Sequence, residues 1–173
     1  MKYKYLNDGF TVIELVAVLV LIGILAVTSF SRWFGVSSFD SAATAADIST
    51  VARLAQRIAV FKPGNIITLE ISSVAGIWQL AVMEDDGGSV SNLFQIDNNS
   101  GNTISIAGVT GPVTLSAAND LVVNYDDLGN ISALLVGGVA LGATVGVAIS
   151  IGTDSPRLIC ISPVGFVHAG ACV

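Results

Sequence analysis

The side chains that most often carry out catalysis are scarce in this sequence of 173 residues. The single histidine, His168, stands between two apolar residues, and it is the only base that a Ser-His-Asp arrangement could use. Carboxylates cluster at 84–86 and at Asp126-Asp127, near glycines, where solvated turn residues are common. We therefore predict that the protein is not an enzyme.

Spacing also argues against a metal or phosphate site. The segment 97–102 offers oxygen ligands, but its glycine comes one place early for an EF-hand loop and no Glu follows at the twelfth position. The two cysteines and His168 are too few for a structural zinc site, which normally has four ligands. The Gly-rich stretch 137–146 lacks the Lys-Ser/Thr ending of a phosphate loop. We expect no cofactor and no metal.

Cys160 and Cys172 both lie in the last fourteen residues. In an oxidising compartment they would form a disulfide, and the glycines and proline between them would let the chain double back. The alternative is a pair of buried free cysteines that behave as small hydrophobic side chains. Whether the cysteines are bonded or free depends on whether the domain lies in an oxidising compartment, and the N-terminal segment indicates which compartment that is.

Glu14 is the only charge in an apolar run of 22 residues, 10–31. As a helix this run would span roughly 33 Å, enough to cross a bilayer, and Lys2 and Lys4 before it favour a cytoplasmic N-terminus with the rest exported. A carboxylate in hydrocarbon costs several kcal/mol and points to a function. Cleavage between Gly9 and Phe10 would create an ammonium group one helical turn away, which the Glu14 of a neighbouring subunit could neutralise.

The apolar run is also compatible with simpler roles. A plain membrane anchor would account for the length of the run but not for Glu14, and Glu14 could simply be stabilised by the helix dipole. A secretory signal has a shorter apolar core and a nearby small-x-small cleavage site, whereas the first Ala-x-Ala here is 43–45.

The segment Gly9-Phe10-Thr11-Val12-Ile13-Glu14-Leu15 resembles the type IV prepilin signature. The resemblance covers about the first 35 residues. It implies a leader, 1–9, that a membrane prepilin peptidase removes after Gly9, N-methylation of the new terminal Phe10, and an assembly role for Glu14. Asp8 and Ser31 depart from the family, since basic or neutral residues and proline, respectively, are more usual there.

A second resemblance lies nearer the C-terminus. Tyr125-Asp126-Asp127-Leu128-Gly129-Asn130 and, later, 157–166 are similar to the aromatic-Asp-x-x-Gly turn and the Ile-x-Pro-x-Gly hairpin of the GspH/FimT group. That group comprises minor pilins and minor pseudopilins. A weaker similarity is to minor subunits of the mannose-sensitive haemagglutinin pilus.

The elements that would position these residues follow from hydrophobic patterning. After the assembly helix, 10–34, an amphipathic helix, 35–62, carries apolar residues at spacings of three and four. Lys62-Pro63-Gly64 ends it, and a β-rich periplasmic domain, 63–173, follows. The apolar helix positions are Ile48, Val51, Leu54, Ala55, Ile58 and Phe61, and the predicted strands are 66–72, 77–83, 93–96, 103–107, 121–125, 131–136, 145–151, 157–161 and 165–168. The predicted fold is α+β, a long N-terminal helix packed on an antiparallel sheet as in type IV pilins.

Composition limits the partners. The chain is 53% hydrophobic and 12% charged, with a mean hydropathy of +0.77, which indicates either exposed apolar contact surfaces or a tightly packed β domain. The net charge is −6 and no Lys/Arg cluster occurs, so we expect no nucleic-acid binding.

These observations favour a structural subunit of a type IV pilus or of a type II secretion-like filament. It would be anchored in the bacterial inner membrane by one span and later incorporated into the filament. The resemblance implies that its partners are other pilin or pseudopilin subunits, the prepilin peptidase and the inner-membrane assembly platform. The alternative is a filament-displayed adhesin or substrate-binding module that would use the loops around 101–112 and 136–148.

Overall fold

The computed structural model describes residues 11–33, 36–108, 111–142, 146–153 and 156–172. By its internal contacts the chain divides into two compact units, Met1–Val36 and Ser37–Val173. The first contains helix α1, Val12–Trp33, which is 22 residues long and lies within the predicted assembly helix, 10–34.

Helix α2, Val36–Phe61, is amphipathic, and one face of it is fully buried. The predicted apolar stripe is correct at Ile48, Val51 and Ala55, which are completely inaccessible to solvent, but it is wrong at Phe61, whose side chain is 82% exposed. The buried stripe ends instead at Ala59. Small alanines on this face let the helix approach the strands closely.

Eleven strands follow α2 among the described residues, and every neighbouring pair is antiparallel. They form a six-stranded sheet in the order β3-β2-β1-β6-β7-β8 and a five-stranded sheet in the order β11-β10-β9-β4-β5. The strands are β1 Ile66–Val74, β2 Ile77–Asp85, β3 Val90–Asn98, β4 Ile104–Gly108, β5 Gly111–Thr114, β6 Leu121–Tyr125, β7 Ile131–Val136, β8 Val139–Ala140, β9 Val147–Ile151, β10 Arg157–Ile161 and β11 Val167–Ala169.

The hairpin predicted around Gly76 is present, with Val74 paired to Ile77. Its two-residue turn places both Ala75 and Gly76 at positive φ, 53° and 81°. Turns of this kind match the twist of the two strands, and glycine adopts such a conformation without strain.

One hydrophobic core joins α2 to both sheets in the second unit. Alternate residues of the strands face it, so β1 buries Ile67, Leu69 and Ile71 while the residues between them lie on the half-exposed face. A helix packed on antiparallel strands confirms the predicted α+β fold class.

Candidate functional site

The predicted processing site, Gly9 and Phe10, lies outside the described residues, which begin at Thr11. Glu14 is described, and it stands in the first turn of α1. The backbone N–H of Glu14 donates to the Thr11 carbonyl oxygen at 3.1 Å and lies 3.4 Å from the Thr11 hydroxyl oxygen. Thr11 therefore caps α1, and Glu14 occupies the third helical position, where a carboxylate interacts favourably with the helix dipole.

This capping geometry uses the Glu14 backbone rather than its carboxylate. Among the described residues, no side chain or backbone group forms a hydrogen bond or ion pair with that carboxylate.

From Leu15 to Leu25 the side chains of α1 are apolar and exposed on every side of the helix. Val12 and Ile13 are 82% and 79% exposed, and at Val18, the least exposed large apolar residue up to Leu25, the value is still 43%. An α-helix that is apolar all round is stable only when an apolar environment or other helices surround it. Among the described residues, however, no helix meets the length and hydropathy required to cross a membrane.

A disulfide joins Cys160 to Cys172, with 5.1 Å between the two Cα atoms. Cys160 lies on β10 and is almost fully buried, whereas Cys172 follows β11 and is half-buried. The bond ties the C-terminal segment to a strand of the five-stranded sheet.

Gly146 lies next to this disulfide, at a position that the sequence pattern assigns both to the Gly-rich stretch 137–146 and to the start of the predicted strand 145–151. A Cβ there would lie 2.9 Å from the Ile161 carbonyl oxygen and 3.2 Å from the Cys172 sulfur. The close approach of two backbone segments and a sulfur requires a residue without a side chain.

The two C-terminal motifs are in direct contact. The amide nitrogen of Gln56 on α2 donates to the carbonyl oxygens of Gly129 and Val164, at 3.3 and 3.0 Å. The N–H of Ile131 donates to the Pro163 carbonyl oxygen at 2.8 Å, and a Cβ on Gly165 would overlap the Gly129 carbonyl oxygen. We call this contact of Gln56, Gly129, Val164 and Gly165 the three-way junction.

Asp126 organises the turn on one side of the junction. Its carboxylate accepts hydrogen bonds from the backbone N–H groups of Leu128 and Asn130, at 2.9 and 2.8 Å, and from the Asn130 side chain at 3.1 Å. Burial opposes ionisation of this group, but the hydrogen bonds from Asn130, Leu128 and Gly129 outweigh it and lower the pKa of the Asp126 carboxyl. The aspartate of this motif is therefore a structural acceptor.

The segment 97–102, which offers oxygen ligands, makes hydrogen bonds with α2 and β2. Asn98 donates to the Asp47 carboxylate at 2.7 Å, Asn102 donates to the Thr44 hydroxyl at 3.0 Å, and Trp78 donates to the Asn102 carbonyl oxygen at 2.8 Å. Within the part of the chain that the structure describes, no three His, Cys, Asp or Glu residues are grouped so that they could hold a metal ion.

His168 is stacked on Phe166, with 6.3 Å between ring centroids, and its Nδ1 lies 3.1 Å from the Ala169 carbonyl oxygen. These contacts hold the ring against its own hairpin.

The antiparallel arrangement around α2 is similar to a solved structure, that of the type IV minor pilin FimU from Pseudomonas aeruginosa strain PAO1. The TM-score is 0.50 and the identity 16%, over 75% of this chain and 91% of that one. The chain has a type IV pilin-like fold. No protein-family model and no curated protein matches the sequence.

The GspH/FimT and mannose-sensitive haemagglutinin similarities remain sequence-based predictions.

Proposed function

We propose that this chain is a structural subunit, a minor pilin or minor pseudopilin of the GspH/FimT kind, in a type IV pilus or a type II secretion-like filament. The observation that carries the proposal is an N-terminal helix with apolar side chains exposed on all sides, in a chain whose fold is type IV pilin-like. Such a helix would be covered by lipid before assembly and by the helices of neighbouring subunits afterwards.

Processing is the first step of this function. Prepilin peptidase would cut between Gly9 and Phe10 and methylate the new amine of Phe10. The Gly-Phe junction of the sequence and the helix start immediately after it, at Val12, support a cleavage that leaves the helix intact.

Assembly is the second step. Before it, the subunit would sit in the bacterial inner membrane with its Ser37–Val173 unit in the periplasm, where the oxidising environment suits the Cys160–Cys172 bond. The inner-membrane assembly platform would then transfer it into the filament, where Glu14 would neutralise the terminal amine of an adjacent subunit.

Leader removal tests the proposal directly. We expect N-terminal sequencing of the chain recovered from sheared filaments to begin at methylated Phe10. Gly9→Val should leave the leader attached and keep the chain out of the filament fraction. An intact Met1 in filaments, or a filament fraction that lacks the wild-type chain altogether, would contradict the proposed function.

The role of Glu14 is separable from capping by two substitutions. Glu14→Gln keeps a helix-compatible side chain at the third position but removes the charge, whereas Thr11→Ala removes the cap, at a cost of about 1 kcal/mol to the helix. We expect Glu14→Gln to be cleaved normally yet incorporated at least about tenfold less, because a charge pair in a low-dielectric core is lost. Thr11→Ala should be incorporated nearly normally, and the opposite ranking would show that assembly depends on the Thr11 cap and not on the Glu14 charge.

A further inference from the structure

The first described turns of α2 within the second unit are docked by hydrogen bonds rather than by apolar packing. Along the described part of the helix, buried apolar side chains begin at Ile48. The buried residues before it are Ser41 and Thr44, which are 3% and 0% exposed. We call residues 40–47 the latch segment, because a different kind of contact holds it to the β-sheets than holds the rest of α2.

Thr44 is at the centre of these contacts. Its hydroxyl donates to the Asp40 carbonyl oxygen at 2.8 Å within the helix and lies 3.0 Å from the Ser100 hydroxyl oxygen. The side-chain amide nitrogen of Asn102 donates to the Thr44 hydroxyl at 3.0 Å, and the amide oxygen of Asn102 lies 3.3 Å from the Ser41 hydroxyl. A small network of neutral groups thus ties the latch segment to the residues that follow β3.

The last contact of the latch segment is also a hydrogen bond to a neutral group. Asp47 accepts from the Asn98 side chain at 2.7 Å. When such groups separate, water replaces each lost hydrogen bond, so the net stabilisation per bond is small. Separation of Ile48 or Val51 from the sheets would instead expose a large apolar side chain, for which water does not compensate.

A groove beside this network leaves the latch segment loosely packed. It has a volume of about 290 Å³ and lies between α2 and the β10–β11 hairpin. On the helix it is lined by Ala42, Ala45, Ala46 and Ser49, all of them small. Few van der Waals contacts therefore hold this side of the latch segment.

We propose that the latch segment opens from the β-sheets as a unit while the helix from Ile48 onwards and the core stay folded. Opening would expose hydroxyl groups, an amide and the methyl groups of alanines, and it would leave the buried aliphatic side chains in place. Segments with few buried apolar contacts open at a free energy well below that of global unfolding. The latch segment is therefore a conformational device that releases one end of α2 without unfolding the domain.

This device deepens the proposed function, on which its purpose rests. The latch segment follows the first unit, which ends at Val36, so its release frees the connection between the apolar helix and the β domain. A subunit that passes from a bilayer into a filament would then keep its core folded while the start of α2 adapts to the new surroundings.

Hydrogen exchange of the full-length chain in detergent micelles, read by mass spectrometry of fragments, tests the latch. The amides of 44–47 bond back to the carbonyls of 40–43, whereas those of 55–59 cover the fully buried Ala55 and Ala59. We expect 44–47 to exchange at least about tenfold faster than 55–59. Low concentrations of urea should accelerate 55–59 but leave 44–47 nearly unchanged, because a local opening exposes little surface.

The same substitution at two positions separates the latch from a general loss of helix stability. Thr44→Val leaves Ser100 and Asn102 without their partner, so it should accelerate exchange of 44–47 at least about fivefold and leave 55–59 unchanged. Thr50→Val is the matched control, because the exposed Thr50 hydroxyl donates within its own helix. Thr44→Ser, which keeps the hydroxyl, should exchange more slowly at 44–47 than Thr44→Val.

Filling the groove should have the opposite effect. Ala42→Leu adds apolar surface to the wall of the groove and should slow exchange of 44–47 at least about threefold. Ala43→Leu is its control, since Ala43 is exposed and does not line the groove. Equal exchange in the two variants would contradict the assignment of the groove to the latch.

Two further outcomes overturn the latch: exchange of 44–47 that is as slow and as sensitive to urea as that of 55–59, or equal effects of Thr44→Val and Thr50→Val. Exchange is measured on the purified chain and needs no filament. A chain that never enters filaments would refute the proposed function and leave the exchange result standing. A filament-borne chain without the local opening would refute only the latch.

Discussion

At the scale of single residues, the packing of the second unit depends on a contact between two glycines that the sequence pattern cannot predict. Gly129 and Gly165 are 36 positions apart, and both have positive φ, 79° and 75°. Each is an ordinary turn residue by its sequence context. Their mutual contact follows only from the docking of two turns on Gln56, so the resemblance to GspH/FimT proteins could indicate both motifs but not the junction between them.

Gly165→Ala should lower the free energy of unfolding by more than backbone strain alone would. Its Cβ would overlap the Gly129 carbonyl oxygen, whereas Gly138, at nearly the same φ of 77°, has nothing within 4 Å of the same position. We expect Gly138→Ala to lower the free energy of unfolding by about 1–2 kcal/mol, from the left-handed conformation. Gly165→Ala should lower it by about 2–4 kcal/mol, because overpacking adds to that cost. Equal losses in urea unfolding would show that the junction opens without cost.

Carboxylates of lowered pKa make stability depend on pH. The hydrogen bonds of Glu84 with Lys62 and Asn65, both 2.6 Å long, lower the pKa of the Glu84 carboxyl. Hydrogen bonds from backbone N–H groups lower the pKa of the Asp86 carboxyl. The pKa of the Asp126 carboxyl is lowered by the hydrogen bonds of its turn. A lowered folded-state pKa contributes stability that is fully present above the unfolded-state pKa, which is about 4.

We therefore expect the free energy of unfolding to be flat from about pH 7 to pH 5 and to fall as the pH drops below about 4. Glu84→Gln and Asp126→Asn should each flatten that fall, because neither amide binds a proton in this range. Glu70→Gln is the control, since its pairing across the sheet is with Ala81 and Val122 and no charged partner. A steeper loss in acid for the two test variants than for the wild type would contradict the assignment.

At the scale of elements, periodicity predicted most of the structure. Alternation over 66–72 and 77–83 correctly gave β1 and β2, because one face of each strand is buried. It missed β5 and β8, which are short edge strands of four and two residues with exposed side chains and therefore no alternation. Phe61 was assigned to the buried face on spacing alone, but the helix ends there and its last side chain extends into solvent.

The C-terminal element should depend on its disulfide. The bond closes a loop with a sequence separation of 12, for which the chain-entropy estimate is on the order of 3 kcal/mol. Cys172→Ala removes the bond with little loss of packing, since Cys172 is only half-buried. We expect this variant to lose about 3 kcal/mol under non-reducing conditions and to match the reduced wild type.

Intact mass provides the direct check on that element. Reduction should add two hydrogens to the wild-type chain, and alkylation before reduction should label neither sulfur. Labelling of both cysteines in the native protein would contradict the disulfide and would also count against the proposed periplasmic location.

At the scale of the whole molecule, the chain combines two parts with different solvent requirements. The α1 surface from Leu15 to Leu25 is apolar on every side, whereas the second unit has a buried core built from residues between Ile48 and Val167. Sequence composition averaged these parts into one high mean hydropathy of +0.77. The position of the apolar run, 10–31, along the chain predicts separate roles for the two parts, which the average hydropathy does not.

The last prediction follows from that division. A variant that begins at Ser37 should fold by itself, because the whole described core, including the α2 face around Ile48, lies after that residue. We expect a monomer with a single cooperative urea transition, while the full-length chain should require detergent or lipid to stay dispersed. Ile48→Ala in the shortened variant should cost about 2–5 kcal/mol, since it leaves a cavity where α2 meets the sheets. A non-cooperative transition, or a negligible effect of Ile48→Ala, would mean that docking of α2 needs the N-terminal helix, and the division of labour between the two units would then be wrong.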